Sequence, residues 1–145
     1  FATMLKNSLD MGTGSITLEN DFRVTRFGKF LRKTKINELP QLYNIIKGDI
    51  TIVGPRPVLD QDWKLYPDSI INKIYDVKPG LTGIGSIIFR DEESLMSSVK
   101  DEDYHDFYKR VIAPYKGELE MWYQKNQSML LDLKLIFLTV TVRTF

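Results

Sequence analysis

The stretch from Ile36 to Pro57, INELPQLYNIIKGDITIVGPRP, restricts the local architecture more than any other part of this 145-residue chain. Asn37 sits where a helix N-cap is expected. Glu38 follows in the first turn, Pro40 is tolerated because early helix N–H groups have no intrahelical acceptor, and Gly48 ends the segment. Leu39, Leu42, Tyr43 and Ile46 fall at i, i+3, i+4 and i+7, a stripe expected to face the core, with Glu38, Gln41 and Ile45 off it. Ile50 to Val53 is a β-branched run, read as a short strand. Gly54-Pro55-Arg56-Pro57 must leave it as a stiff extended turn, because each proline fixes its own φ and restricts the residue before it. Arg56 is therefore carried on a backbone with little freedom.

Upstream, basic residues recur at 23, 26, 29, 32, 33 and 35, interleaved with Phe27, Phe30 and Leu31. That spacing predicts a short amphipathic helix with one cationic side. Twenty Lys and Arg against nineteen Asp and Glu leave almost no net field, so binding of phosphate or membrane must come from such local clustering. Nucleic acid is not an expected partner, since the rest of the chain carries no corresponding basic face.

The first 21 residues read as strand and loop, with turn chemistry at Gly12 to Ser15. Residues 60 to 76 read as helical with a break at Pro67. Lys78-Pro79-Gly80 opens a turn before LTGIGSIIF, a glycine-punctuated strand or extended segment. Asp103 to Gln127 reads as one or two helices interrupted near Pro114. Residues 129–142, MLLDLKLIFLTVTV, are strongly apolar yet carry Asp132 and Lys134. They suit an amphipathic helix in a membrane interface, or a core helix. The expectation is one mixed α/β domain over residues 1–145, helix-rich with a few short strands.

Having no cysteine excludes disulfides and thiol catalysis, and with His105 as the only histidine the sequence argues against zinc. His105 reads as an ordinary helix residue. No stretch reaches the roughly 18 to 20 apolar residues of a spanning helix. The start at Phe1 suggests a fragment, with any membrane anchor upstream.

A basic helix, a carboxylate at a helix start, a short strand and a rigid arginine turn thus lie close together in the chain. Helix N-termini favour anions, and arginine offers a planar fork that takes a phosphate bidentately. A carboxylate there either caps the helix or holds Mg²⁺ against a diphosphate.

LRKTKINELPQLYNIIKGDITIVGPRP resembles the signature of the bacterial sugar transferases, the monotopic polyprenyl-phosphate phosphoglycosyl transferases that start assembly of O-antigen, capsule, exopolysaccharide or glycoprotein glycans. The likeness continues through KPGLTGIGSIIF and SMLLDLKLIFLT and covers the chain from Phe1 to about Thr141. It implies a membrane-associated monotopic catalytic domain on the cytoplasmic face of the bacterial inner membrane, here without the family's N-terminal re-entrant helix. It also implies a nucleotide diphosphate sugar donor, usually a UDP-sugar, undecaprenyl phosphate as acceptor, Mg²⁺, and release of UMP.

By position, the resemblance gives Glu38 the role of the family's metal-binding glutamate. Arg32 falls where the family places an active-site arginine, and Arg56, flanked by Pro55 and Pro57, falls in its phosphate or nucleotide contact. Two positions depart from the pattern. Ala2 stands where many members have arginine, and Asn37 occupies the place of the nucleophilic aspartate. An amide oxygen is uncharged and cannot serve as that nucleophile at neutral pH. Loss of a covalent nucleophile costs on the order of 10⁴ to 10⁶ in rate. Three accounts of Asn37 stay open: Glu38 is the nucleophile, the lipid phosphate attacks the donor directly, or the chain is an inactive scaffold module of a glycan-assembly complex.

Overall fold

The structure, a computed structural model, describes residues 1–59, 62–74 and 77–141. Its helices are α1 (Arg26–Thr34), α2 (Pro40–Lys47), α3 (Asp68–Ile74), α4 (Ile84–Ile88), α5 (Glu92–Ser97), α6 (Tyr104–Phe107), α7 (Ala113–Asn126) and α8 (Met129–Thr141). The strands β1 (Thr51–Val53) and β2 (Gly80–Thr82) pair in parallel, Thr51 opposite Gly80 and Val53 opposite Thr82. This is the helix-rich mixed α/β arrangement expected, with the strand after Ile50 and the helix stop at Gly48 in place. Gly48 adopts φ 83°, and its N–H donates to the carbonyls of Asn44 and Ile45. Glycine reaches that left-handed geometry without a Cβ penalty.

α7 and the turn that leads into it at Ile112 are the elements around which the core is built. Ala113 packs with Tyr66 and Ile70, Ile112 packs with Ile16 and Met96, and Tyr123 packs with Val53 and Leu135. α8 is fixed to this frame by two polar contacts. Tyr123 Oη donates to Asp132 Oδ1 at 2.6 Å, and the hydroxyls of Thr82 and Thr139 share a hydrogen bond of 2.8 Å.

Several expectations are corrected. The helix after Lys35 does not start with an Asn37 cap: Lys35 turns left-handed at φ 59°, residues Ile36–Glu38 form one 3₁₀ turn, and Leu39 is already helical. The apolar stripe of α2 faces outward, with Leu39, Leu42, Tyr43 and Ile46 all about half or more exposed. Periodicity states which residues share a face, not which face a neighbour covers. LTGIGSIIF is strand only to Thr82 and then turns into α4. The break near Pro114 is a π turn over Tyr108–Ile112, in keeping with a proline that lacks an N–H at the start of α7. The helical reading of 60–76 holds as a 3₁₀ turn, Asp62–Leu65, and α3; residues 60, 61, 75 and 76 lie outside the described residues, as does Val142 of the 129–142 helix.

Arg23 is a further correction to the cationic side of α1. It is 1% exposed and serves the N-terminal loop instead of the surface. Its guanidinium pairs with Asp21 and donates to the carbonyls of Ser8, Met11, Gly14 and Ile16. The remaining outer face of α1 mixes Arg26, Lys29 and Lys33 with Phe27 and Phe30, whose rings lie 6.3 Å apart in a stacked pair.

Candidate active site

Two of the sequence motifs are clamped to each other by backbone. Gly54 N–H donates to Thr82 O at 2.9 Å, and Gly80 N–H donates to Pro55 O at 2.8 Å. The Pro-Gly-Leu-Thr-Gly segment therefore holds the base of the Gly-Pro-Arg-Pro turn. The approach is so close that a Cβ on Gly80 would overlap the Gly54 backbone. Pro55 is buried, whereas Arg56 and Pro57 are exposed. Among the described residues Arg56 makes no hydrogen bond or ion pair, so a fixed turn presents a guanidinium with its donors uncommitted.

Asn37 and Glu38 lie together in the 3₁₀ turn between α1 and α2. Among the described residues, the buried Asn37 Oδ1 has no hydrogen-bond partner. Glu38 Oε1 is 3.5 Å from Lys35 Nζ, with the carboxylate side chain 30% exposed. Arg32, in the last turn of α1, is turned away from this pair: Nε donates to Thr3 Oγ1 at 3.0 Å and Nη1 to Glu93 Oε1 at 2.9 Å. No hydrogen bond or ion pair joins Arg32 or Arg56 to Asn37 or Glu38 among the described residues. Lys29, Arg32 and Glu93 do share a cavity of about 210 Å³.

A cavity of about 260 Å³ opens at the end of β1, lined by Thr51, Gly54, Pro55, Lys78, Gln124 and Gln127 among others. Lys78 Nζ donates to Gly48 O at 2.7 Å, which ties the end of α2 to the entry of β2. Behind this edge, Glu120 of α7 is 7% exposed. Its Oε1 accepts from Gly85 N–H at 3.3 Å, and its Oε2 has no partner among the described residues. Burial pushes the Glu120 carboxyl up to about 7, against smaller opposing pulls from the Gly85 N–H and the Lys116 ammonium.

Lys78, Glu120 and Gln124 are not among the site residues read from the sequence. A signal for Glu120 does exist: Ala113, Gly117 and Glu120 fall at i, i+4 and i+7 on the buried face of α7. A carboxylate among small buried residues departs from the usual preference of charged side chains for water.

The donor set suits a hard cation in part. Among the described residues no group of three or more His, Cys, Asp or Glu converges on one point. Glu38 and Asn37 are nonetheless consecutive residues with side-chain oxygens, and Mg²⁺ is commonly held by one or two carboxylates with water and substrate phosphates completing its shell.

The whole chain, residues 1–145, matches the family described as bacterial sugar transferase. It is 35% identical over 125 residues to the UDP-galactose-lipid carrier transferase of Erwinia amylovora, covering 86% of this chain and 22% of that protein. It is 34% identical over 125 residues to the undecaprenyl-phosphate galactose phosphotransferase of Salmonella typhimurium, again 86% of this chain and 22% of the relative. The UDP-glucose:undecaprenyl-phosphate glucose-1-phosphate transferase of Klebsiella pneumoniae is 38% identical over 125 residues, 84% of this chain and 24% of its own length. The chain thus spans under a quarter of the length of these three relatives.

Proposed function

The chain belongs to the bacterial sugar transferase family, and from that premise we propose that it transfers a sugar 1-phosphate from a UDP-sugar to undecaprenyl phosphate, releasing UMP. The observation that carries this reading is the clamped Gly-Pro-Arg-Pro turn: it holds Arg56 exposed, and unpaired among the described residues, next to Pro55 of the cavity wall, a rigid fork for a diphosphate.

Glu38 and Asn37 Oδ1 would hold Mg²⁺, which supplies charge neutralisation at the donor's phosphates when bound. Arg56 orients the diphosphate by paired N–H donation, and Lys35, 3.5 Å from Glu38 Oε1, helps hold the carboxylate in place. In the direct route an oxygen of the lipid phosphate bonds to the sugar-bearing phosphorus while its bond to the UMP oxygen breaks. In the two-step route a Glu38 carboxylate oxygen bonds to the sugar-bearing phosphorus as the bond to UMP breaks, and an oxygen of the lipid phosphate then bonds to that phosphorus as the bond to Glu38 breaks and frees the carboxylate. Intact-mass analysis for a phosphosugar adduct on the protein distinguishes the two.

The reaction needs a lipid acceptor, so the domain belongs at the cytoplasmic face of the inner membrane in this reading. No helix among the described residues is long and apolar enough to cross a bilayer. The outward stripe of α2 and the exposed Met129, Leu130, Leu133, Phe137 and Val140 of α8 are suited to lie in its interface.

The test is UMP release by membrane-reconstituted protein given UDP-sugars, Mg²⁺ and undecaprenyl phosphate. No release from a broad donor panel refutes the transferase. A second reading, a non-catalytic scaffold of the same fold, is favoured by Asn37 alone. It predicts no UMP from the wild type and a large gain from Asn37→Asp.

A further inference from the structure

The buried Glu120 stands directly behind the clamp that holds the Arg56 turn, with glycine backbone between them. Its Oε1 accepts from Gly85 N–H at 3.3 Å, and a Cβ on Gly85 would come within 2.6 Å of that oxygen. Gly83 lies between carboxyl and clamp: a Cβ there would meet Gly54 O at 2.2 Å and Glu120 Oε1 at 3.8 Å. Gly54 in turn donates to Thr82 O and opens the Gly-Pro-Arg-Pro turn.

A neutral carboxyl suits this place, because Oε1 stays an acceptor while Oε2 carries the proton. An ionised one does not, since one long bond from an N–H does not replace the water a carboxylate gives up. Burial accordingly pushes Glu120 up to about 7. Lys116, one turn earlier on α7, opposes this only slightly, its ammonium being bonded to Glu92 of α5 and to Tyr108 Oη. Tyr66 and Tyr123 face the same interior, and burial pushes both phenols up, Tyr66 to about 12. Asp132 of α8 accepts from Tyr123. β2, Gly83 and α4 bring no titratable side chain, and α3 meets α7 through Ile70 at Gly117. A charge on Glu120 must therefore draw in water or move, and the backbone of Gly83 and Gly85 is what it leans on.

We infer that Glu120 is a positioning residue for Arg56: the protonated carboxyl lets β2 and α4 close on Gly54, and its ionisation loosens that contact and the turn that presents the guanidinium. The inference rests on the proposed transferase reading and adds to it a group that makes the Arg56 turn sensitive to pH.

The experiment follows the Glu120 carboxyl carbon and the backbone amides of Gly54 and Gly80 by NMR through a pH titration of the full wild-type chain, a readout that needs no variant to fold. Both amides should move with the Glu120 midpoint, near 7, and Glu120→Gln should abolish that movement. Pyrophosphate binding to wild type, Glu120→Gln and Arg56→Ala is the second readout. Comparing proteins at the same pH cancels the probe's own titration. Wild type and Glu120→Gln should bind alike at about pH 5, and the wild type about fivefold more weakly at about pH 8, the low end of usual couplings between sites. Arg56→Ala should bind weakly at both. Gly54 and Gly80 amides that ignore the Glu120 midpoint overturn the inference, even while UMP release from UDP-sugars continues. So does pyrophosphate that fails to bind, or that binds wild type and Glu120→Gln in a ratio constant with pH. Amides and pyrophosphate affinity that follow Glu120 in a protein releasing no UMP overturn the transferase reading alone.

Discussion

The Glu120 carboxyl, with an ordinary value of 4.5, is pushed up to about 7 by its burial beside Gly85, where a Cβ would come within 2.6 Å of Oε1. The folded state therefore binds this proton more tightly than the unfolded chain. Folding carries no penalty from Glu120 below about pH 4.5 and loses stability as pH rises toward and through 7. At about 1.4 kcal/mol for each tenfold change in proton affinity, the full loss is about 3 kcal/mol. Glu120→Gln keeps the shape and an acceptor for the Gly85 N–H but has no charge to desolvate. The variant should match the wild type at pH 4 and be more stable by up to about 3 kcal/mol at pH 8. Urea unfolding midpoints of both proteins at pH 4, 6 and 8 measure this. A wild-type pH dependence that persists unchanged in Glu120→Gln, or a variant less stable at pH 8, refutes the reasoning.

Asp21 titrates in the opposite sense. Arg23 holds its carboxyl down at about 2, so the contribution of about 2 kcal/mol is complete above roughly pH 5 and is lost as pH falls through 2, visible in acid unfolding. Arg23→Met leaves Asp21 buried and uncompensated and should cost about 3–5 kcal/mol, read from the denaturant midpoint. Gly80→Ala drives a methyl into the Gly54 backbone and should cost at least about 1–3 kcal/mol, with the bond from Gly80 N–H to Pro55 O as its point of failure in hydrogen exchange. Glu38→Gln should abolish UMP release with little change in unfolding midpoint, since the carboxylate is partly exposed and its ion pair with Lys35 is long.

The features legible in the sequence are those decided within a few residues. Gly48 stops α2 because the next backbone geometry is left-handed, and two prolines keep the Arg56 turn extended whatever packs on it. Features decided by distant partners were hidden. Arg23 looks like the first member of a basic helix, yet Asp21 and four loop carbonyls take it into the interior. The stripe Leu39, Leu42, Tyr43, Ile46 has the spacing of a core face, but no element among the described residues covers it. Gly80 and Gly83 read as loop punctuation, whereas their lack of a Cβ is what lets β2 press onto Gly54. The family motifs located Asn37, Glu38 and Arg56 in the chain. They did not indicate that the Pro-Gly-Leu-Thr-Gly segment is the clamp under Arg56.

The unsatisfied polar atoms connect these observations. Three buried side-chain atoms lack a partner among the described residues: Asn37 Oδ1, Glu120 Oε2 and Gln124 Nε2. Each forgoes about 1–3 kcal/mol relative to a bonded state, a substantial part of the 5–15 kcal/mol that stabilises a typical domain. None belongs to the N-terminal loop, where Arg23 satisfies carbonyl after carbonyl. Asn37 adjoins Glu38, Gln124 lines the cavity beside Arg56, and Glu120 lies one turn before Gln124 on α7, at the junction of β2 and α4. Folding alone does not favour that distribution, because apolar residues of similar volume would cost less. The distribution follows the family motifs instead: Asn37 is in the turn before α2, and Glu120 and Gln124 border the strands that carry the Gly-Pro-Arg-Pro and Pro-Gly-Leu-Thr-Gly segments.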